Sequence, residues 1–440
     1  MRKVYMSFLG TNNYLPCNYV YQSHKKSHIP VKNVRFVQEA SVIWHCSDWG
    51  KNDRILIFAT REAHDSNWVD NGHRRPDNTI IPVEGLEKRL ANLNLLPGIR
   101  EISIPAGKSE AEIWEIFTAV VEKLEDNDEL YLDITHAFRS LPLLATVIIN
   151  YAKVIKTIQV KAINYGAMEA LGSLRDVQAL AIEERDVPVF DLLPFDQLLD
   201  WSIAIDRFVV AGDAAAIHSL TSQKVIARKQ EIRGPDDDAD NIKKMAKALE
   251  IFSNTMAACR GKSISTDAQK LKESICRVTQ QQLIKPMTPL LEKLEKTVNE
   301  FSGDEVLDGI AAAEWCRQHN LVQQGFTILQ ETAITHILIQ SINADSADID
   351  NRNLVGKAVK ITLENISEEN WDKEARNQKA LIGQICEWLA PQKTLLDCIR
   401  NMSQSRNDLN HAGMNPNPMA GDKFKTKLQE YIKVLSSCCR

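Results

Sequence analysis

A doubly wound α/β domain followed by an all-α domain is predicted by three observations. Strand-like apolar runs alternate with helical periodicities through residue 190, no convincing strand pattern follows Pro188, and helical patterns then continue to the C-terminus. With 440 residues, two or three domains are expected, each able to bury a core.

In chain order, RKVYMSFL (residues 2–9) alternates and reads as a first strand, and Gly10, Thr11, Asn12 and Asn13 form a sharp polar turn after it. The glycine fingerprint G-x-G-x-x-G is absent there, which disfavours a nucleotide-dependent oxidoreductase. VRFVQEASVIW (34–44) reads as a second strand or hairpin arm, and ILIFAT (55–60) as a strand buried on both faces, ending in Thr60. Residues 61–82 read as a surface loop. A helix near 84–95 leads through Pro97-Gly98 to the strand REISIP. Ser109 and Glu112 then make a capping box for a helix with Ile113, Ile116, Phe117, Val120, Val121 and Leu124 on one face.

The stretch ELYLDITHAFRSLPLLATVIIN (129–150) organises this half. A strand ends at Asp133, a polar turn carries Thr135, His136, Arg139 and Ser140, and Pro142 opens an apolar helix. Parallel sheets deliver polar groups to their carboxyl edge in this way. A cation beside a helix N-terminus suits an anion, so a phosphate-bearing ligand is expected. The competing interpretation is a strand–helix corner whose Asp, Thr and Ser only cap the helix. KTIQVKAINYG (156–166) follows as a further strand.

Helical patterns in the second half run near 195–231, 241–260, 266–300, 306–341, 353–365, 373–404 and 423–437. The turn GPDDDADN (234–241) is the clearest break, and Asp236–Asp238 read as a solvated loop rather than metal ligands. Near the end stands SRNDLNHAGMNPNP (405–418). Arg406 and His411 are five residues apart in a helix that Gly413 and two prolines terminate. A five-residue step turns about 140° on a helix, so they do not share a face, whereas Asn407 and His411 do. A guanidinium that holds phosphate beside an imidazole that titrates near ~6.5 suits phosphodiester cleavage. The same pair also suits a plain helix C-terminus.

Composition bounds the alternatives. Hydrophobic residues make up 44% and charged residues 25%, as in ordinary globular proteins. A net charge of −5 argues against wrapping long duplex DNA but leaves room for a phosphate pocket or a local basic cleft. Nine cysteines without a C-x-x-C or a zinc spacing read as reduced thiols. No signal peptide or membrane span is recognised, and a cytoplasmic location is expected.

The chain resembles the CARF–HEPN ribonucleases, ancillary effectors of type III CRISPR systems. LGTNNY, FAT-x-EA (58–63), DITHAFRSLP and INYGAME (163–169) carry the CARF likeness. RNDLNHAG and the helix around EWCRQHNLVQQGFTILQE (314–331) carry the HEPN likeness. The resemblance implies a Rossmann-like CARF sheet domain over 1–190, with a helical linker and HEPN domain over 191–440. It implies a homodimer or higher oligomer binding cyclic oligoadenylate, with cyclic tetra-adenylate the commoner ring. Gly10, Thr11, Asn12, Thr60, Thr135, His136, Arg139 and Ser140 would line the ring pocket, with Asp133 supporting the loop. Arg406 and His411 would be catalytic and Asn407 supporting, in metal-independent cleavage of single-stranded RNA that leaves a 2′,3′-cyclic phosphate. No metal or cofactor is expected. A non-catalytic ligand sensor acting through its helical domain is the alternative.

Overall fold

In the computed structural model the chain divides into two units, Met1–Gln197 and Leu198–Arg440. The structure describes residues 1–22, 29–136, 141–222, 237–280 and 287–439, with the side chains of all but Leu141 and Pro142.

The first unit is built on β1 (Lys3–Leu9), β2 (Cys17–Gln22), β3 (Val31–Val34), β4 (Arg54–Ala59), β5 (Gly98–Ser103), β6 (Glu129–Asp133), β7 (Gln159–Gly166) and β8 (Asp186–Asp191). They form one mixed sheet in the order β3-β2-β8-β7-β6-β1-β4-β5. β7, β6, β1, β4 and β5 run parallel, while β8 is antiparallel to β7 and parallel to β2.

Side chains alternate across the sheet, as the strand period of two requires. Val4, Met6 and Phe8 pack with Leu56 and Phe58 under α2 (Glu110–Val121) and α3 (Leu141–Lys156). Tyr5 and Leu9 pack with Ile55 and Ile57 against Phe36, Val42 and Cys46 on the other face. Both faces are covered, which is why the strands read as continuous apolar runs.

Three expectations are corrected. Residues 34–44 are not a strand: Val37–Cys46 is a helix, α1, entered where the Glu39 carboxylate accepts the N–H groups of Arg35 and Phe36 at 3.1 and 3.0 Å. Six consecutive residues of α1, Val37–Val42, are buried, so no amphipathic period shows in the sequence. Residues 61–82 are not all surface loop, because a helical turn over 61–68 buries Asn67 and Trp68. A strand, β8, does run through Pro188, whose carbonyl accepts the Ala167 N–H at 2.9 Å just past the end of β7.

The second unit is helical: α4 (Leu193–Ala211, which begins in the first unit), α5 (Asp237–Ala257), α6 (Ile264–Gln280), α7 (Thr288–Lys296), α8 (Glu305–Gln318), α9 (Val322–Ile342), α10 (Ile349–Glu364), α11 (Lys379–Leu389), α12 (Lys393–Asn410) and α13 (Lys423–Cys438). The stretch read as one helix over 306–341 is two, broken where Asn320 adopts φ +60°. Asp237 and Asp238 form the first turn of α5, and Asp236 lies outside the described residues. Two cores result. α4 to α7 close around Phe208, Phe252 and Phe301, and α9 to α13 around Phe326, Ile382 and Leu428. α8 serves both, giving Ala312, Trp315 and Cys316 to the first and Ile310 and Ala313 to the second. No helix among the described residues is long and apolar enough to cross a membrane, and all nine cysteines are free thiols.

Candidate functional site

The parallel strands β6, β1 and β4 end side by side, and the chain order reverses between β6 and β1. Ligands of open α/β sheets sit at such a carboxyl-edge switch point. The Gly10–Tyr14 turn leaves β1 there, and Ile134, Thr135 and His136 leave β6 beside it.

The β1 turn is held from behind. Asn67 donates its amide hydrogens to the carbonyls of Gly10 and Asn12, both at 2.9 Å. Its Oδ1 accepts from His73 Nε2 at 2.9 Å and from Arg35 Nη2 at 3.3 Å, so every hydrogen-bonding position of this buried amide is used. Arg35 also donates Nε to the Tyr14 carbonyl at 3.2 Å and Nη2 to Asn13 Oδ1 at 3.1 Å. With its carbonyls tied inward, the turn leaves the side chains of Thr11 and Asn12 exposed. Gly10 is required by packing, since a Cβ there would stand 2.2 Å from the Tyr14 hydroxyl.

The β6 turn is tied to the sheet. Asp133, fully buried, accepts the Thr135 N–H and the Ser41 hydroxyl, each at 2.9 Å. Burial pushes its carboxyl above the usual carboxylate range, against these donors. Thr135 Oγ1 accepts the Gly166 N–H at 2.8 Å, locking the turn to the end of β7. Beneath lies a polar layer that the sequence did not reveal: Gln38 donates to Ser7 Oγ at 3.2 Å, and Asn164 to His45 Nε2 at 2.8 Å. His136 packs at a tilt against Tyr14 with its Nε2 buried and unpartnered, and burial lowers its pKa to about 4.

The structure thus brings Gly10, Thr11, Asn12, Thr135 and His136 to one edge, with Asp133 under them. Thr60 is there too, but is buried and caps a helical turn by accepting the Ala63 N–H at 3.2 Å. Arg139 and Ser140 lie outside the described residues. Asn67 and Arg35 are the residues sequence reasoning missed at this edge.

In the helical unit, Arg406 and Asn407 belong to the last turns of α12, and His411 caps it with φ −98° and ψ 17°. Arg406 is half-buried with its Nε unpartnered, whereas Asn407 and His411 are exposed. Burial raises the nearby Cys259 thiol, while the Arg406 and Arg260 guanidinium groups pull it down. After His411 the chain reverses through left-handed Ala412 and Gly413, and the Gly413 N–H returns to the Asp408 carbonyl at 2.9 Å. The Asp408 carboxylate accepts the Met419 N–H at 2.7 Å and the Asn415 amide, closing the loop that follows. A cleft of about 230 Å³ lies against Asp408, Gly413 and Met419. Asn410 Oδ1 accepts from Gln323 at the start of α9, at 3.1 Å. Among the described residues no group of three or more His, Cys, Asp and Glu side chains is placed to hold a metal ion.

Comparison with known proteins adds to this geometry. Residues 4–169 match the family model for the CARF domain of the CRISPR system endoribonuclease Csx1, and residues 197–304 that for the second domain of CRISPR-associated protein MJ1674. Neither of these two models reaches Arg406. The chain is also 27% identical over 222 residues to the CRISPR-associated protein MJ1674 of Methanocaldococcus jannaschii, a match covering 46% of this chain and 33% of that protein. The chain therefore spans about a third of the length of the curated relative it matches. Together these similarities support a CRISPR-associated CARF protein, with an N-terminal mixed sheet domain and a mostly helical C-terminal region.

Proposed function

We propose that this protein is an endoribonuclease switched on by cyclic oligoadenylate. The observation that carries the reading is the α12 terminus, where the Arg406 guanidinium keeps an unpartnered Nε and the next turn presents an exposed His411. The similarity of residues 4–169 to a CARF domain supports ring sensing in CRISPR defence, and the braced turns at the sheet edge supply neutral hydrogen-bonding groups for a nucleotide ring.

RNA brings its own nucleophile. An imidazole at 411 takes the 2′-hydroxyl proton as the 2′-oxygen attacks phosphorus. The P–O5′ bond breaks, the 5′-oxygen regains a proton from an imidazolium, and a 2′,3′-cyclic phosphate remains. Arg406 neutralises the charge that gathers on the phosphate, and Asn407 orients the imidazole. No metal takes part.

Pairing of two copies is part of the proposal. Leu143, Val147, Tyr151 and Val154 make an exposed stripe on α3, beginning just after the β6 turn. A second copy on this stripe would set two ring-binding turns side by side, and pairing of two α12 termini in one cleft is proposed separately for the helical unit. The ring then acts only through its preference for one arrangement of the pair.

The test is cleavage of a fluorescent RNA in EDTA, with and without cyclic tetra-adenylate and the other ring sizes in turn. Strong stimulation by one ring is expected, with cleavage lost in Arg406→Ala and His411→Ala while ring binding persists. Equal rates with and without every ring would remove the switch, and cleavage surviving in both variants would remove the site.

A further inference from the structure

The hairpin of α5 and α6 carries a groove of about 310 Å³ that the proposed chemistry does not use. Lys244 and Lys247 line it from α5, and Lys270 and Arg277 from α6. Ala248 and Ile251 form an apolar floor, with Ile251 40% exposed. Two carboxylates, Asp267 and Glu273, face these four cations, in a chain whose net charge is −5. Lys247 and Arg277 are already paired on their own helices, with Glu250 at 2.7 Å and Glu273 at 3.4 Å. Lys244 and Lys270 form no ion pair among the described residues.

The groove has a direction. Lys244, Ala248, Ile251 and Thr255 recur every three or four residues on one face of α5, which leads to the hairpin turn. In that turn Cys259 Sγ donates to the Gln324 carbonyl at 3.9 Å. The adjoining Gln323 holds Asn410, next to His411. The hairpin turn beyond the groove therefore meets the first turn of α9, which also touches the end of α12. Arg260 is exposed at this junction, and its charge and that of Arg406 act on the same thiol.

We propose that the α5–α6 groove is a binding track for the phosphate chain of single-stranded RNA, leading along the hairpin to the α12 terminus. The identity of the strand rests on the nuclease reading above. Cations spaced along roughly 10 Å of helix suit two successive phosphates, and the apolar floor receives bases without reading them. An acidic peptide is the rival occupant.

The test uses the full-length protein and a fluorescein-labelled 2′-O-methyl oligouridylate, which lacks the 2′ nucleophile and so stays intact. Anisotropy at several salt concentrations gives affinity and its salt slope. Lys244→Ala combined with Lys270→Ala is expected to weaken binding about tenfold and to lower the salt slope by about 1.4, as the loss of two phosphate contacts requires. Helix content by circular dichroism should match the unsubstituted protein. Unchanged affinity and slope in the variant overturns the track, as does lysine-dependent binding of labelled polyglutamate by a protein that does not bind the oligouridylate. Cleavage of ordinary RNA by the unsubstituted protein separates the two readings. Lysine-dependent binding without cleavage at any ring size sinks the nuclease and keeps the track, whereas cleavage with lysine-independent binding does the reverse.

Discussion

The imidazole of His136 lies 4.2 Å from the ring of Tyr14, centroid to centroid, in a buried setting. Burial lowers its pKa to about 4, so His136 is neutral at physiological pH and, in the proposed ring pocket, would offer a hydrogen bond without charge. Ring affinity measured by calorimetry should therefore stay level between pH 6 and pH 8, where a cationic histidine would lose affinity. Stability behaves differently. The unfolded chain takes up a proton near pH 6.5 that the folded chain refuses until about pH 4, so folding weakens as pH falls through that interval. Urea unfolding should show an acid loss on the order of 2 kcal/mol larger in the unsubstituted protein than in His136→Phe.

Asn67 is the brace of the β1 turn. Asn67→Ala strips the donors from the Gly10 and Asn12 carbonyls and leaves Arg35 and His73 short of an acceptor. A loss of about 2–4 kcal/mol by denaturant titration is expected, with weaker ring binding. Ring binding at full strength in a folded Asn67→Ala protein would show that the turn needs no brace.

Gly10→Ala should fail through one contact, the 2.2 Å approach of the new Cβ to the Tyr14 hydroxyl. Overpacking of this kind costs about 1–3 kcal/mol. Adding Tyr14→Phe removes the clashing oxygen, and the double variant should recover most of the melting temperature lost by Gly10→Ala alone.

Burial raises the Asp133 pKa, so the folded chain favours the protonated acid more than the unfolded chain does. This preference stabilises at low pH and is lost as pH rises through the folded pKa. Asp133→Asn carries no such penalty. Its melting temperature relative to the unsubstituted protein should rise as pH increases above the usual carboxylate range, and a gap independent of pH would contradict the buried-acid account.

In the proposed nuclease reading, Asp408 positions His411 through the loop that follows α12. Without its carboxylate, the Met419 N–H and the Asn415 amide lose their anchor and the turn after α12 is no longer closed. Asp408→Ala should lower kcat for RNA cleavage about tenfold, the scale of a misplaced catalytic group, and leave ring binding unchanged. A matching loss of ring binding would mean general unfolding.

What the sequence revealed follows from burial. β1, β4 and β6 sit centrally with both faces covered, so their apolar runs are unbroken and their polar carboxyl ends stand out. β8 contains Pro188, which argues against a strand unless its missing donor is not needed there. α1 is buried on both sides of its axis, so Val37, Val42 and Ile43 read as β-branched strand residues. Asn67 was invisible for a different reason. Its four partners come from Gly10, Asn12, Arg35 and His73, and no local spacing announces so dispersed a set of contacts. The α12 terminus was legible because Gly413 and the prolines that follow mark where it stops.

Because α8 is a wall common to both helical cores, neither core can be excised whole. A cut on either side of residues 305–318 would leave a row of greasy side chains facing water, with Trp315 stripped of Phe208 and Phe252 in one fragment or Ala313 of its neighbours in the other. The helical unit should accordingly melt as one body, and strain applied at the α5–α6 hairpin has a stiff lever through which to reach α12.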